Sequence, residues 1–197
     1  MALGEILGNA GSRLLGVPVQ RVKVETWGID EALRVPVSVA VVKGLLLPFS
    51  GDGVNYVNAE RMAESRGIEV VRSNHAESED YPHLVGVTVE GGDRSVAIDG
   101  VLFRDEPRVV RFEGFPLEFR PQGKLLVLEN QDRPGVVGQI GTLLAEEGVN
   151  IADIHLARRE KRAIAVLRLD EDPSASVLER LAALPQVKSV RSVNLER

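Results

Sequence analysis

Two rhythms of apolar and polar positions run along this chain, and they change near residue 121. Beyond that point Lys124-Leu125-Leu126-Val127-Leu128 is a continuous apolar run of strand length. Val136, Val137, Ile140, Leu143 and Leu144 then recur at the spacing of one helix face. Pro134 suits the first turn of that helix, and Gly148 suits its left-handed end. Residues 150–158 alternate as a strand, with Ile151, Asp153 and His155 on one face and Ala152, Ile154 and Leu156 on the other. Arg159-Glu160-Lys161-Arg162 forms a charged hairpin tip, followed by a strand over 163–169. Pro173-Ser174 opens a helix carrying Val177, Leu178, Leu181 and Leu184, and 187–195 is the last strand. The order β-α-β-β-α-β predicts a ferredoxin-like domain.

The first part is less periodic. Ile6, Leu7, Leu14 and Leu15 predict a short opening helix, weakened by Gly4, Gly8 and Gly11. Residues 17–27 alternate as a strand. Pro36 is placed to start a helix through Val37, Ala40, Val41 and Leu45, and 58–66 is a second helix stopped at Gly67. Strands follow at 68–72, 84–90, 94–101 and 108–113, with Gly91-Gly92-Asp93 as a hairpin turn. This is an α+β domain with a mostly antiparallel sheet. Arg120-Pro121-Gln122-Gly123 marks the change of rhythm, so the expected domains are 1–121 and 122–197.

Composition narrows the function. The chain has 197 residues and a formal net charge of −5, which argues against nucleic acid as its main partner. It has no cysteine, which excludes disulfides, thiolate catalysis and cysteine-held metal, and fits a cytoplasmic location. No secretory signal opens it, and apolar runs such as 39–42 and 45–47 are too short to span a bilayer. The histidines at 75, 83 and 155 form no metal-binding pair, so no metal site is expected. Neither a dinucleotide fingerprint nor a phosphate loop occurs. No residue is assigned a catalytic role.

The loop before the first helix of the second domain is different. The N–H groups around Gly135, Val136 and Val137 can receive a carboxylate, and Asp132 can pair with an ammonium. Asn130 and Asn150 offer amides that donate and accept. Together these groups complement a zwitterionic amino acid. Equally, Asp132 can cap the helix and Asn150 can serve the turn after Gly148. A second set is basic. Arg108 and Arg111 lie in the last strand region of the first domain, Arg120 at its exit, and Arg168 inside an apolar strand. Arg108, Arg120 and Arg168 are candidates for an anion site between the domains. The alternatives for Arg168 are an ion pair with Asp170 or Glu129, or a solvated sheet face.

Several separated motifs carry a resemblance. Asp132-Arg133-Pro134-Gly135, Gly141-Thr142-Leu143-Leu144 and Gly148-Val149-Asn150-Ile151-Ala152 resemble the ACT domain of D-3-phosphoglycerate dehydrogenases. Lys43-Gly44-Leu45-Leu46, Val54-Asn55-Tyr56-Val57-Asn58-Ala59 and Arg66-Gly67-Ile68 resemble the allosteric substrate-binding (intervening) domain of the long form of that enzyme. Arg108-Val109-Val110 and Arg120-Pro121-Gln122-Gly123 fit the end of that domain. The resemblance implies the regulatory part of an NAD-dependent oxidoreductase of L-serine biosynthesis. NAD would bind only the catalytic domains, which would be partners of this region. It implies L-serine held by Asn130, Asp132 and Asn150 between ACT domains of two subunits, and hence a homo-oligomer. Two other readings stand beside it. One is the β-type chain of an iron–sulfur L-serine dehydratase, whose Ser- and His-rich N-terminal signature is missing. The other is a free-standing amino-acid-binding regulator.

Overall fold

The computed structural model describes residues 1–196 and shows two compact units, Met1–Gly114 and Phe115–Arg197. The first opens with α1 (Ala2–Leu15), β1 (Arg21–Trp27) and α2 (Glu31–Ser50). A 3₁₀ turn (Gly51–Gly53) leads to α3 (Ala59–Ser65) and β2 (Glu69–His75). Then come β3 (Leu84–Gly91), β4 (Arg94–Phe103) and β5 (Glu106–Phe112). β6 (Phe115–Phe119) lies past a tight Glu113-Gly114 turn that the sequence pattern did not resolve into a hairpin. The sheet order is β2-β1-β3-β4-β5-β6. β1 and β2 run parallel, joined through α2 and α3, and β1, β3, β4 and β5 are antiparallel neighbours.

One face of this sheet carries apolar rows in register. Val24, Val87, Ile98 and Phe112 face one another across four strands, and Val22, Val89 and Val96 form the next row. All seven are at most 2% exposed. α1 lies against β3 and β4, and α2 lies along α1. The glycines that weaken α1 as an isolated helix are what let α2 come close. A Cβ on Gly8 would sit 2.1 Å from the Val41 carbonyl oxygen, and one on Gly44 would sit 1.9 Å from the Glu5 carbonyl oxygen. Lys43 closes the seam with a 2.8 Å ion pair to Glu5, which also accepts from the Tyr56 hydroxyl at 2.7 Å.

α2 starts earlier than Pro36 predicts. Asp30 precedes it, and Pro36 is carried within the helix. Taken with the 3₁₀ turn it is long and apolar enough, by length and composition, to cross a membrane; reading the stretch as short broken runs missed this. Half of it is buried inside the first unit against α1, β1 and α3, as in a core helix.

The second unit continues with β7 (Lys124–Gln131), α4 (Val136–Glu146) and β8 (Ile151–Arg159). β9 (Arg162–Leu169), α5 (Ala175–Ala182) and β10 (Val187–Asn194) complete it. Its strand order β10-β7-β9-β8, all antiparallel, is the ferredoxin-like arrangement. Leu126, Leu128, Ala165 and Leu167 pack with Ile140, Leu144, Val177 and Leu181 of the two helices. A bulge between Ile151 and Asp153 corrects the alternation expected for β8. Ile151 pairs with Leu169 and Ile154 with Leu167, so both fall on the helix-bearing face rather than on opposite faces.

The seam yields a stability prediction. Gly8→Ala should lower stability by about 1–3 kcal/mol in urea unfolding, because overpacking outweighs the helix-propensity gain. Gly141→Ala, where an added Cβ meets nothing within 4 Å, should raise stability by about 0.5–1 kcal/mol. Equal effects at the two sites would show that α1 and α2 do not depend on this approach.

Candidate functional site

At the end of β7 the chain turns through Asp132-Arg133-Pro134 into α4. Gly135 takes φ 86° and ψ −14°, the left-handed region. A Cβ there would meet nothing, so the requirement for glycine is conformational rather than spatial. No side chain caps α4. The Val136 N–H makes only a long 3.5 Å bond to the Arg133 carbonyl, and the first turn carries the helix's partial positive charge.

Asp132 does not cap α4, as one sequence reading allowed. Its backbone N–H donates to the Lys161 carbonyl at 3.0 Å, and its carboxylate meets Arg158 Nε at 3.1 Å. Asn130 is 3% exposed, and its Nδ2 donates to the Gln131 carbonyl at 2.8 Å. Asn130, Ala163 and Arg158 lie in one cross-strand row over β7, β9 and β8. This row has the parity of Leu126 and Leu128, so it faces the helices. Val136 is buried in the core while Val137 is 43% exposed. The structure thus gathers Asn130, Asp132, Gly135, Val136 and Val137, and adds Arg158. Sequence reasoning missed Arg158 because only the β8–β9 register brings it to Asp132.

Asn150 lies elsewhere. Leu169 pairs with both Lys124 and Ile151, whereas Arg162 pairs with both Gln131 and Arg159. Asn150 is therefore at the opposite end of the sheet from Asp132, about 23 Å away at roughly 3.3 Å per strand residue. Its Nδ2 donates to Asp170 Oδ2 at 2.6 Å.

The basic residues have separate surroundings. Arg108 pairs with Glu106 at 3.0 Å, and its Nε is buried without a partner among the described residues. Arg111 is held by Asp99 at 2.8 Å and Asp80 at 3.2 Å. Burial pushes the Asp99 carboxyl above its ordinary value, although Arg111 beside it pulls the other way. Arg120 is exposed past the end of β6. Arg168 is half-buried, its Cδ positioned 3.7 Å from where a Cβ of Gly123 would be. The carboxylates suggested for Arg168 are engaged elsewhere. Asp170 takes Asn150, and Glu129 takes Arg162 at 2.8 Å and Lys188 at 3.7 Å. Arg168 makes no ion pair among the described residues.

Comparisons with known proteins agree with this architecture. The family model described as the D-3-phosphoglycerate dehydrogenase intervening domain matches residues 1–113, and the ACT domain model matches residues 124–186. The chain is 32% identical over 198 residues to a D-3-phosphoglycerate dehydrogenase of Methanocaldococcus jannaschii, covering 99% of this chain and 38% of that protein. It is 29% identical over 200 residues to that of Archaeoglobus fulgidus, covering 99% and 38%. It is 30% identical over 194 residues to that of Bacillus subtilis, covering 96% and 37%. The chain thus spans less than two fifths of the length of these curated relatives.

The exposure of Arg158, at 65%, sets a limit on the structural value of its pair with the partly buried Asp132. Exposed ion pairs contribute about 0.2–1 kcal/mol. Asp132→Ala and Arg158→Ala should each change unfolding free energy by no more than about 1 kcal/mol in urea titrations. A loss above about 2 kcal/mol for Asp132→Ala would mean that the carboxylate holds the loop rather than waiting for a ligand.

Proposed function

The chain belongs to the family of D-3-phosphoglycerate dehydrogenase intervening domains, here joined to an ACT domain, and from that premise we propose that it senses an amino acid, L-serine, for such an enzyme. The proposed domains are 1–121 and 122–197. The observation that carries this reading is Asp132 beside the uncapped N-terminus of α4. The carboxylate takes the ligand ammonium, and the N–H groups of Gly135, Val136 and Val137 with Arg158 take its carboxylate. Asn130 orients the ligand from the buried end of β7.

Asn150 joins this site from a second copy. Among the described residues β9 is the only strand paired with β8 in its sheet, and β6 packs near β8 without pairing, with Phe119 6.1 Å from His155 between ring centres. Ile154 and Leu156 on its helix-bearing face are each 44% exposed. Two antiparallel β8 strands meeting near His155 bring Asn150 of one copy beside residues 160 and 161 of the other. Lys161 is the residue whose carbonyl holds the Asp132 backbone. The site is then shared, and the ACT domains self-associate. Arg108, Arg120 and Arg168 are proposed to take a phosphate-bearing anion, for which Arg168 has its charge uncommitted. In this reading catalysis and NAD belong to the catalytic domains of the enzyme, in the cytoplasm.

Calorimetric titration of the purified chain with L-serine tests the reading. Asp132→Ala should weaken binding roughly tenfold to a hundredfold, the loss of about 1.5–3 kcal/mol for a charge-assisted hydrogen bond, with Asn150→Ala losing less. Mixing unfolded Asp132→Ala and Asn150→Ala chains and refolding them together should recover about a quarter of the wild-type sites, since each mixed dimer has one intact site. Wild-type binding by a folded Asp132→Ala chain would sink the site, and no recovery on mixing would sink its sharing. Leu156→Glu should give a monomer in sedimentation. With NAD and 3-phosphoglycerate the chain alone should form no NADH.

A further inference from the structure

The end of α1 and the end of α2 leave a hollow between them, bounded on further sides by the chain entering β1 and β2. Its volume is about 590 Å³, within the range of roughly 300–1,000 Å³ that small-molecule sites occupy. Val17, Val19, Pro48, Phe49 and Ile68 supply apolar walls. Phe49 is 55% exposed, so a large apolar ring stands open to water at this place. The charged wall residues are Arg13 and Arg66, and no carboxylate lines the hollow. Arg13 Nε donates to the Asn9 side-chain oxygen at 2.9 Å, and Arg66 gives one terminal nitrogen to Ser50 Oγ at 2.7 Å. Neither makes an ion pair among the described residues, so each keeps further N–H groups and an unmatched charge. A third guanidinium stands close by. Arg94 Nη1 lies 3.5 Å from where a Cβ of the wall residue Gly16 would be, and Arg94 too makes no ion pair among the described residues. Elsewhere Arg21, Arg72, Arg111, Arg162 and Arg180 each meet a carboxylate.

An apolar chamber edged by unmatched positive charge selects on two counts. Its walls favour a hydrocarbon body that leaves water. Its guanidiniums offer paired N–H donors that match a planar carboxylate. A small polar anion gains from the arginines and nothing from the walls. An uncharged hydrocarbon gains from the walls alone. We propose that the hollow between the ends of α1 and α2 binds an organic acid with one carboxylate and an apolar body of aromatic size. The Arg13 and Arg66 guanidiniums take the carboxylate, and the body lies against Val17, Phe49 and Ile68. Such a ligand touches α1, α2 and the entry to β2 together, so it stabilises the first unit against unfolding. The site shares no residue with the Asp132 loop or with Arg108, Arg120 and Arg168, and stands whether or not the second unit binds serine.

The test titrates the full chain with cinnamate, read by calorimetry and by saturation transfer to the ring protons of the ligand. Cinnamyl alcohol, the same body without the charge, is one comparison arm. Inorganic phosphate, charge without the body, is the other. Cinnamate should bind saturably, the alcohol should bind about tenfold more weakly or worse, and phosphate should not displace the acid. Arg13→Gln and Arg66→Gln, both at exposed positions, should each weaken binding severalfold, and together by about tenfold or more. Phe49→Ala should weaken it severalfold, and Asp132→Ala should leave it unchanged. Absence of saturable cinnamate binding in the wild-type chain overturns the proposal. So does an alcohol that binds as tightly as the acid, displacement of the acid by phosphate, or unchanged affinity in the double arginine variant. Loss of binding in a folded Asp132→Ala chain places the acid in the second unit and overturns it as well. If the double variant does not fold, Arg66→Gln and Phe49→Ala decide.

Discussion

Every strand has two edges of hydrogen-bonding groups, and among the described residues β8 is paired along only one of them. The ferredoxin-like order forces this, because β7 and β9 take the centre and β8 is left outside. The consequences reach the whole second unit. The helices cover Leu126, Leu128 and Leu167 but leave Ile154 and Leu156 partly open. The same register carries Arg158 to Asp132 at one end of the sheet and strands Asn150 at the other. The amino-acid site proposed above draws on both ends, so in that proposal ligand binding and association are one equilibrium.

The first unit depends on a different contact. α2 is apolar on nearly every side, and such a helix needs partners around most of its circumference. Gly4, Gly8 and Gly44 allow the backbones of α1 and α2 to approach until no Cβ fits between them. The sheet takes another side through β1 and β2. The first turns of α2 mix Glu31 and Arg34 with the exposed Leu33 and Val35. There Arg34 and Ser38 face β1 and β2 across a space too small for further side chains.

The sequence by itself determined the order of nearly all elements and the type of the second domain. Apolar spacing of 3.6 or 2 residues is a local property, and Pro134, Gly148 and Gly67 punctuate it locally too. It also marks the loop of Asp132 and Gly135 as a candidate site, since turn chemistry and charge stand together there. Tertiary structure decided what depends on residues far apart in the chain. Glycines in α1 read as weakness, yet they are the seam with α2, because the cost of helix entropy is local and the benefit lies 30 or more residues away. The bulge after Ile151 set which face each β8 side chain takes, and pairing with β9 set the partner of Asp132. Asn130 and Asn150 look like companions in a motif, but strand direction puts them at opposite ends of a sheet. Sequence names the groups able to hold an amino acid; only the register shows which of them one chain can bring together.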